Sequence, residues 1–349
     1  MKIDFPTSIK ISETPDDWAS YIDDLVTVLD SDYILLTGIG ESFNYSKIII
    51  KNIGTEPVEI INLASNSVQK VYELERKIRG SNLIIVAIGG GKVCDLSKRL
   101  AYFTGLRLVL LPTIIANDGL ISPISVLSDN QKSFSLPGKM PDYVFVDLDI
   151  IRSSPPQFLI AAACDLLSNL SATSDWKYAV EQKEATLNLL ALHFSNMAAY
   201  MILDCSSWDL NAPEFLRAIL HGQILSAMAM AYAGNSRPCS GSEHLISHAL
   251  DELKLGSDML HGEKVGRASS FCLHIQGKED LKINKLLGKF NVPSSFTNEV
   301  LDDQTLKQIF EVARTVRPGR GTILDLFEDD ELIIKYKEFQ MNIEDALVQ

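Results

Sequence analysis

Through about residue 150 the sequence returns five times to a short apolar run: YILLT (33–37), VEIINL (58–63), LIIVAI (83–88), RLVLLPT (107–113) and YVFVDL (143–148). Between them lie segments such as SVQKVYELERKI (67–78), whose apolar residues recur at three and four. Runs that are apolar throughout suit strands buried on both faces, and parallel neighbours need a crossover that only a helix supplies compactly. The alternation therefore predicts an open parallel sheet covered by helices on both sides.

After the breaker cluster SSPPQF (153–158) the strand signal disappears. Long helical stretches follow at 158–180, 183–203 and 213–234, broken by loops containing Pro or Gly. The expected architecture is an α/β Rossmann-like nucleotide-binding domain over residues 1–152, followed by an all-α domain over 153–349. The acidic tail EDDELIIKYKEFQMNIEDALVQ reads as a terminal helix with one solvated face.

A net charge of −13 gives no general attraction for nucleic acid or for an anionic membrane, so a phosphate ligand needs a local site. No apolar stretch is long enough for a membrane span, and the start MKIDFPTSIKISETPDD lacks the basic region and apolar core of a secretory leader. The expectation is a cytoplasmic protein whose partner is a small molecule, with neither nucleic acid nor membrane. Its five cysteines are scattered without CxxC spacing, which favours buried free thiols over disulfides or a thiolate zinc site.

Two constellations carry chemistry. In LIIVAIGGGKVCDLSK a strand runs through Gly89, Gly90 and Gly91 into a helix bearing Lys92, Asp95 and Lys98. Free N–H groups at a helix start, with no side chain in the way, suit a dinucleotide diphosphate. The same glycines also suit a tight strand-to-helix turn, and both lysines suit a solvated helix face. A second turn, TGIGES (37–42), places Gly38 after the first strand, where it can line the same nucleotide; neither turn is a GxGxxG fingerprint. No carboxylate follows that first strand directly, so NADPH is expected to be accepted at least as well as NADH.

In the helical half, GSEHLISHALD (241–251) and LHGEKVG (260–266) bring His244, His248 and His261 within eighteen residues. Histidines four apart share one face of a helix and can converge on a single centre. Asp165 sits in the apolar run AAACDLLSNL, where a buried carboxylate is costly without a cation. One carboxylate and two imidazoles leave a divalent metal with open positions, and zinc suits mixed nitrogen and oxygen donors. His193, His221 and His274 read as ordinary surface or core residues.

These segments, in this order, resemble the superfamily that contains iron-type alcohol dehydrogenases, glycerol dehydrogenase, dehydroquinate synthase and sn-glycerol-1-phosphate dehydrogenase. GGGKVCDLSK is similar to that group's nucleotide loop, and LPTIIANDGLISP (111–123) to its next loop. ACDLLSNLSATSDW, GSEHLISHALD, HGEKVG and RGTIL (320–324) are most similar to the glycerol-1-phosphate branch. The resemblance implies Asp165, His244 and His261 as ligands of one divalent metal, zinc first with nickel or iron as alternatives. It implies NAD(P)H bound by Gly38, Gly89, Gly90, Gly91, Lys92, Asp95, Thr113 and Ser122. It further implies Asp118 in the substrate pocket, His248 beside nicotinamide and substrate, and a homo-oligomer, dimer or larger.

The departures sharpen the expectation. Asn169 replaces the fourth histidine of the iron-type enzymes, which favours the three-ligand branch. Ala116 and Asn117 stand where that branch usually has Ser and His, and Ile124 where Arg is common, which removes possible phosphate contacts. The implied reaction is metal-dependent, NAD(P)-linked interconversion of a small hydroxyketone and a polyol, with dihydroxyacetone phosphate and sn-glycerol 1-phosphate as first candidates. The alternatives are another polyol or sugar-derived alcohol, a dehydroquinate synthase-like cyclase, and a nucleotide sensor without catalysis.

Overall fold

The computed structural model describes residues 5–129, 132–278 and 281–348; the side chains of 118, 132, 133 and 344–348 lie outside this description. It divides into two compact units, the first ending at Pro156 and the second beginning at Gln157.

The strands are β1 (Ser8–Ser12), β2 (Tyr33–Thr37), β3 (Glu59–Asn62), β4 (Ile84–Gly89), β5 (Leu108–Pro112), β6 (Ile124–Asp129), β7 (Lys132–Pro137) and β8 (Tyr143–Asp147). Six of them form one sheet in the order β1-β8-β5-β4-β2-β3, every pairing parallel. The first unit's helices are α1 (Trp18–Val28), α2 (Glu41–Ile53), α3 (Val68–Ile78), α4 (Gly91–Thr104) and α5 (Leu148–Ser153). Alternation along the strands divides the core. Tyr33, Leu35, Val86, Ile88, Val109 and Leu111 pack with Tyr21, Leu25 and Ile49 of α1 and α2. Ile34, Leu36, Ile85, Ala87, Leu108 and Leu110 are buried on the other face, which α3 and α4 cover.

Topology locates the ligand end of this sheet. From β2 the chain passes outward to β3, then crosses back over β2 to β4 and continues to β5. Loops leaving β2 and β4 therefore diverge, and an open parallel sheet binds ligands in the crevice outside such a switch point. Gly38 follows β2 and the three glycines close β4, so both sit at this crevice.

Two features depart from the sequence reading. β1 pairs with β8 at the sheet edge although SIKIS carries no continuous apolar run. The segment after the second loop forms a separate antiparallel hairpin, β6 with β7, in which Ile124 pairs with Pro137.

The second unit contains α6 (Pro156–Glu181), α7 (Leu189–Leu203), α8 (Pro213–Ala233), α9 (Ser242–Glu252), α10 (His261–Ile275), α11 (Leu281–Lys289), α12 (Asp303–Thr315) and α13 (Asp329–Val348). α7 starts at 189 rather than 183 because Lys183 takes a positive φ and Asn188 caps the helix, accepting from the Ala191 N–H. α6 is buried nearly all round, so it lacks the amphipathic stripe of a surface helix and runs through the interior of its unit. A second core joins Leu245, Ala249, Phe271, Phe296, Phe310, Tyr336 and Phe339. In α13, Leu332, Ile333, Tyr336, Phe339 and Ile343 form the one buried face expected of the tail. Among the described residues no helix is long and apolar enough to cross a membrane. All five cysteines are free thiols; Cys205 alone is only half-buried.

Candidate functional site

The glycines of the first loop differ in what demands them. A Cβ on Gly89 would lie 2.6 Å from a methyl of Val93, so packing of β4 against α4 already requires glycine there. On Gly90 a Cβ would meet only Ile114, at 3.4 Å and beyond, and on Gly91 it would meet nothing within 4 Å. Neither of these has a positive φ. Packing therefore leaves positions 90 and 91 open to a side chain, and Gly90 stands as the N-cap of α4, a position that glycine suits. Thr113, buried at the end of β5, donates its N–H to Gly89 O at 3.0 Å and shares a 3.0 Å hydroxyl contact with Ser42. Ser42, the nearest contact of Gly38, thus links the turn after β2 to Thr113 beside Gly89.

Lys92 is exposed beside the glycines. Lys98, expected on a solvated helix face, is instead fully buried: it ion-pairs with Asp95 at 3.1 Å and donates to Gly119 O and Ile124 O. Asp95 also accepts from the Val126 N–H, and burial pushes its carboxyl up. This pair fastens α4 to the loop carrying residue 118 and to the hairpin. Ser122 is buried in the same loop, its hydroxyl 3.5 Å from Ile124 O. Asn117 caps the short 3-10 turn that follows, accepting from the Gly119 N–H at 2.9 Å. The side chain of Asp118 lies outside the described residues.

In the second unit Asp165, His244 and His261 converge, each offering a donor atom within 4.8 Å of the other two. The His244 Nε2 to Asp165 Oδ1 distance is 3.6 Å, against about 3.4 Å between neighbouring ligands of a tetrahedral ion with bonds of about 2.1 Å. Glycine makes the convergence possible. A Cβ on Gly262 would fall 2.0 Å from Ala161 O, and one on Gly266 2.7 Å from Cys164 Cβ. α10 can therefore lie directly on the backbone of α6, which brings His261 to Asp165. Glu263 accepts from the Leu260 N–H at 2.7 Å, closing the start of α10, and buried Lys264 pairs with Asp251 of α9. The glutamate and lysine of HGEK are thus accounted for by the local fold.

The surroundings fix each imidazole. Glu243, fully buried, lies 2.9 Å from His244 Nδ1 and accepts from Ser171 Oγ and the Gly241 N–H. A proton on Nδ1 leaves Nε2, on the Asp165 side, as a lone pair for a cation. His261 Nδ1 meets Ser247 Oγ at 3.2 Å. His248 lies farther out, its ring 6.4 Å from that of His244 and 6.0 Å from that of His261, and its Nε2 is 3.0 Å from Arg317 Nη2. An arginine can only donate, so His248 accepts at Nε2 and carries its own proton on Nδ1.

Burial, then the charges of Arg317 and Arg320, holds His244 well below the usual histidine range. Burial, Arg317 and the two other histidines bring His248 down to about 3. Burial, His244, Lys264 and Arg317 do the same for His261, also to about 3. All three rings are neutral at physiological pH, the form that ligates metals. Asn169 completes the contrast with a four-ligand site: its amide donates to Ser195 O and Ser226 Oγ, tying α6 to α7 and α8. Glu243, Arg317 and Arg320 were not singled out as functional by the sequence. Glu243 and Arg320 entered only as members of GSEH and RGTIL, whereas Arg317 lies outside both segments and carried no signal.

The family model of the iron-containing alcohol dehydrogenases matches residues 30–155. The glycerol-1-phosphate dehydrogenase (NAD(P)+) of Sulfurisphaera tokodaii is 30% identical over 325 residues, covering 92% of each chain. That of Methanobrevibacter smithii is 32% identical over 302 residues, covering 85% of each. Among solved structures, a probable glycerol dehydrogenase from Sinorhizobium meliloti superimposes with a TM-score of 0.74 at 19% identity, covering 98% of this chain and 99% of its own. An iron-containing alcohol dehydrogenase from Thermotoga maritima gives 0.68 at 16% identity, covering 97% and 99%.

Proposed function

We propose, from the premise that this chain belongs to the glycerol-1-phosphate dehydrogenase family, that it reduces dihydroxyacetone phosphate to sn-glycerol 1-phosphate. It is an NAD(P)-linked, metal-dependent dehydrogenase. The observation that carries the reading is the meeting of Asp165, His244 and His261 in one buried donor set. Two neutral imidazoles and a carboxylate fit a divalent ion with open positions, and zinc is the ion this mixed set suits best.

When bound, the metal supplies a Lewis acid for the substrate carbonyl and the reduced nicotinamide supplies the hydride. Asp165, His244 and His261 would hold the metal, with Glu243 fixing the His244 tautomer. Gly90, Gly91 and the N-terminus of α4 would receive the cofactor diphosphate, with Gly38, Gly89 and Thr113 shaping the crevice and Lys92 at its mouth. Asp95 and Ser122 support the neighbouring loop, and Asp118 on that loop would orient the substrate's free hydroxyl. His248, its Nε2 taken by Arg317, would hold the substrate oxygen through its Nδ1–H. A cytoplasmic, homo-oligomeric enzyme belongs to the same proposal.

Steady-state kinetics on dihydroxyacetone phosphate and dihydroxyacetone test the substrate. We expect kcat/KM to favour the phosphate ester by more than about tenfold, or about 1.4 kcal/mol. A smaller preference would assign the site to an unphosphorylated hydroxyketone.

The neutral imidazoles have a second consequence. Two ligand histidines with the ordinary value of about 6.5 would release about 1.5 protons on binding metal at pH 6. With His261 at about 3 and His244 well below normal, fewer than about 0.5 protons are expected. Calorimetric zinc titrations in two buffers of different ionisation heat measure this number; release of one proton or more contradicts the assignment.

A further inference from the structure

Each donor atom of the buried set comes from a different helix, Asp165 from α6, His244 from α9 and His261 from α10, so its spacing depends on what holds those helices in register. One side chain of α6 is bonded to both of the others. Asp175 lies farther along the helix that carries Asp165 and is only 2% exposed. Its Oδ2 accepts from the Ser242 N–H at 2.6 Å, in the first turn of α9 and two residues before His244. Its Oδ1 accepts at 2.9 Å from Gln276 Nε2, at the end of α10. The same oxygen accepts at 2.9 Å from the Ile323 N–H, where the 3-10 turn Ile323–Leu326 begins.

The start of α9 has no cap of its own. Gly241 stands at the N-cap without a side chain, and the free N–H groups of a buried helix start need acceptors. Glu243 takes the Gly241 N–H and Asp175 the Ser242 N–H. A Cβ on Gly241 would fall 2.9 Å from Ala172 Cα and 2.5 Å from Asp175 Oδ2, so glycine lets α9 begin directly on α6. Ser171, one turn before Asp175, completes the clamp. Its hydroxyl meets Glu243 Oε2 at 2.8 Å and Ser269 Oγ of α10 at 2.9 Å, and its carbonyl accepts from Gln276 Nε2 at 3.2 Å. Two acids side by side in the interior are costly, and burial followed by Glu243 pushes the Asp175 carboxyl up to about 6. An apolar residue would serve packing as well; what the acid adds is acceptors for α9, α10 and the turn.

We infer that Asp175 is a positioning residue for the metal centre: by holding the start of α9 and the end of α10 to α6, it sets how His244 and His261 stand toward Asp165. The inference rests on the reading of that centre given above. Asp175 is not itself one of the three donors, so it acts through them. What it contributes is chemical rather than a matter of size. Aspartate offers two acceptor oxygens, whereas asparagine offers one oxygen and an NH2 that only donates. In Asp175→Asn the oxygen serves the side facing two donors, Gln276 and Ile323, and the NH2 then opposes the Ser242 N–H. Volume is unchanged, so the lesion falls on the start of α9 and through it on His244.

The test compares Asp175→Asn in the whole chain with Asn169→Ala, a lesion on the same helix that unties α6 from α7 and α8 instead. Zinc affinity is measured by competition with a chromophoric chelator, and visible spectra are recorded for protein loaded with cobalt(II) in place of zinc. Asp175→Asn is expected to bind zinc about 10- to 100-fold more weakly and to shift the cobalt bands. At saturating zinc it should lose kcat while KM for NAD(P)H stays within about twofold. Asn169→Ala, even with an equal loss of thermal stability, is expected to keep zinc affinity within about threefold and the wild-type cobalt spectrum. Wild-type zinc affinity and cobalt spectrum in folded Asp175→Asn overturn the inference, and so does an equal loss of zinc affinity in Asn169→Ala. If Asp175→Asn does not fold, Gln276→Leu decides: releasing the α10 end alone, it should weaken zinc binding by at least about fivefold, and unchanged affinity removes the role. A wild-type protein that binds neither zinc nor cobalt refutes the metal reading itself and takes the inference with it.

Discussion

Replacing His261 by alanine is expected to lower kcat/KM by at least about a thousandfold, or about 4 kcal/mol, and to strip the protein of most of its metal. The reasoning is geometric. His261 supplies one of three donors lying within 4.8 Å of one another, and its removal leaves one carboxylate and one imidazole, fewer protein ligands than a catalytic site of this type uses. His248 is not a substitute, because its Nε2 is engaged by Arg317. The loss should be chemical rather than structural. His261 begins α10, whose start is held by Glu263 and whose packing against α6 is set by Gly262 and Gly266, none of which the substitution touches. Metal content by elemental analysis and cofactor binding by fluorescence report the two units separately. A variant with wild-type metal content and turnover would mean that the three side chains meet for another reason.

Gly90→Val is expected to raise the dissociation constant for NAD(P)H by at least about 100-fold, close to 2.8 kcal/mol, with the fold intact. The added Cβ meets Ile114 at 3.4 Å, an ordinary contact, and the backbone at position 90 is extended, where any residue sits without strain. The branches then occupy the space in front of the α4 N-terminus. Gly89→Val is the informative contrast, since its Cβ would overlap Val93 and so should destabilise the unit itself. Tight cofactor binding by a folded Gly90→Val protein would place the diphosphate elsewhere.

Much of this was legible because the signals are local. β2, β4, β5 and β8 are continuous apolar runs buried on both faces, and the glycines that end β4 interrupt the pattern visibly. His244 and His248 share α9, and His261 opens α10 close behind, so neighbouring sequence suffices to bring them together. Asp165 was legible for the opposite reason: one acid in a helix buried nearly all round has no solvent to turn to.

What was not legible depends on distant partners. Lys98 looks like any helix lysine until the carbonyls of Gly119 and Ile124 are folded over it. β1 is an edge strand with a lysine in its centre, so it carries half the hydrophobic signal of its neighbours. The hairpin of β6 and β7 interleaves serines with its apolar residues in sequence and stands apart from the main sheet. Arg317 lies 69 residues beyond His248 in the chain, and no spacing rule connects a loop arginine to a helical histidine.

In the proposed function one metal-dependent centre, built by Asp165, His244 and His261, performs NAD(P)H-linked reduction of a small hydroxyketone. The most direct measurement is NADPH and NADH oxidation with dihydroxyacetone phosphate by protein as purified, after complete chelation, and after stepwise return of zinc. The account predicts no turnover when chelated and a linear return of activity that saturates at about one ion per chain. Full turnover by metal-free protein, or no oxidation of either cofactor with about one bound ion per chain, would contradict it.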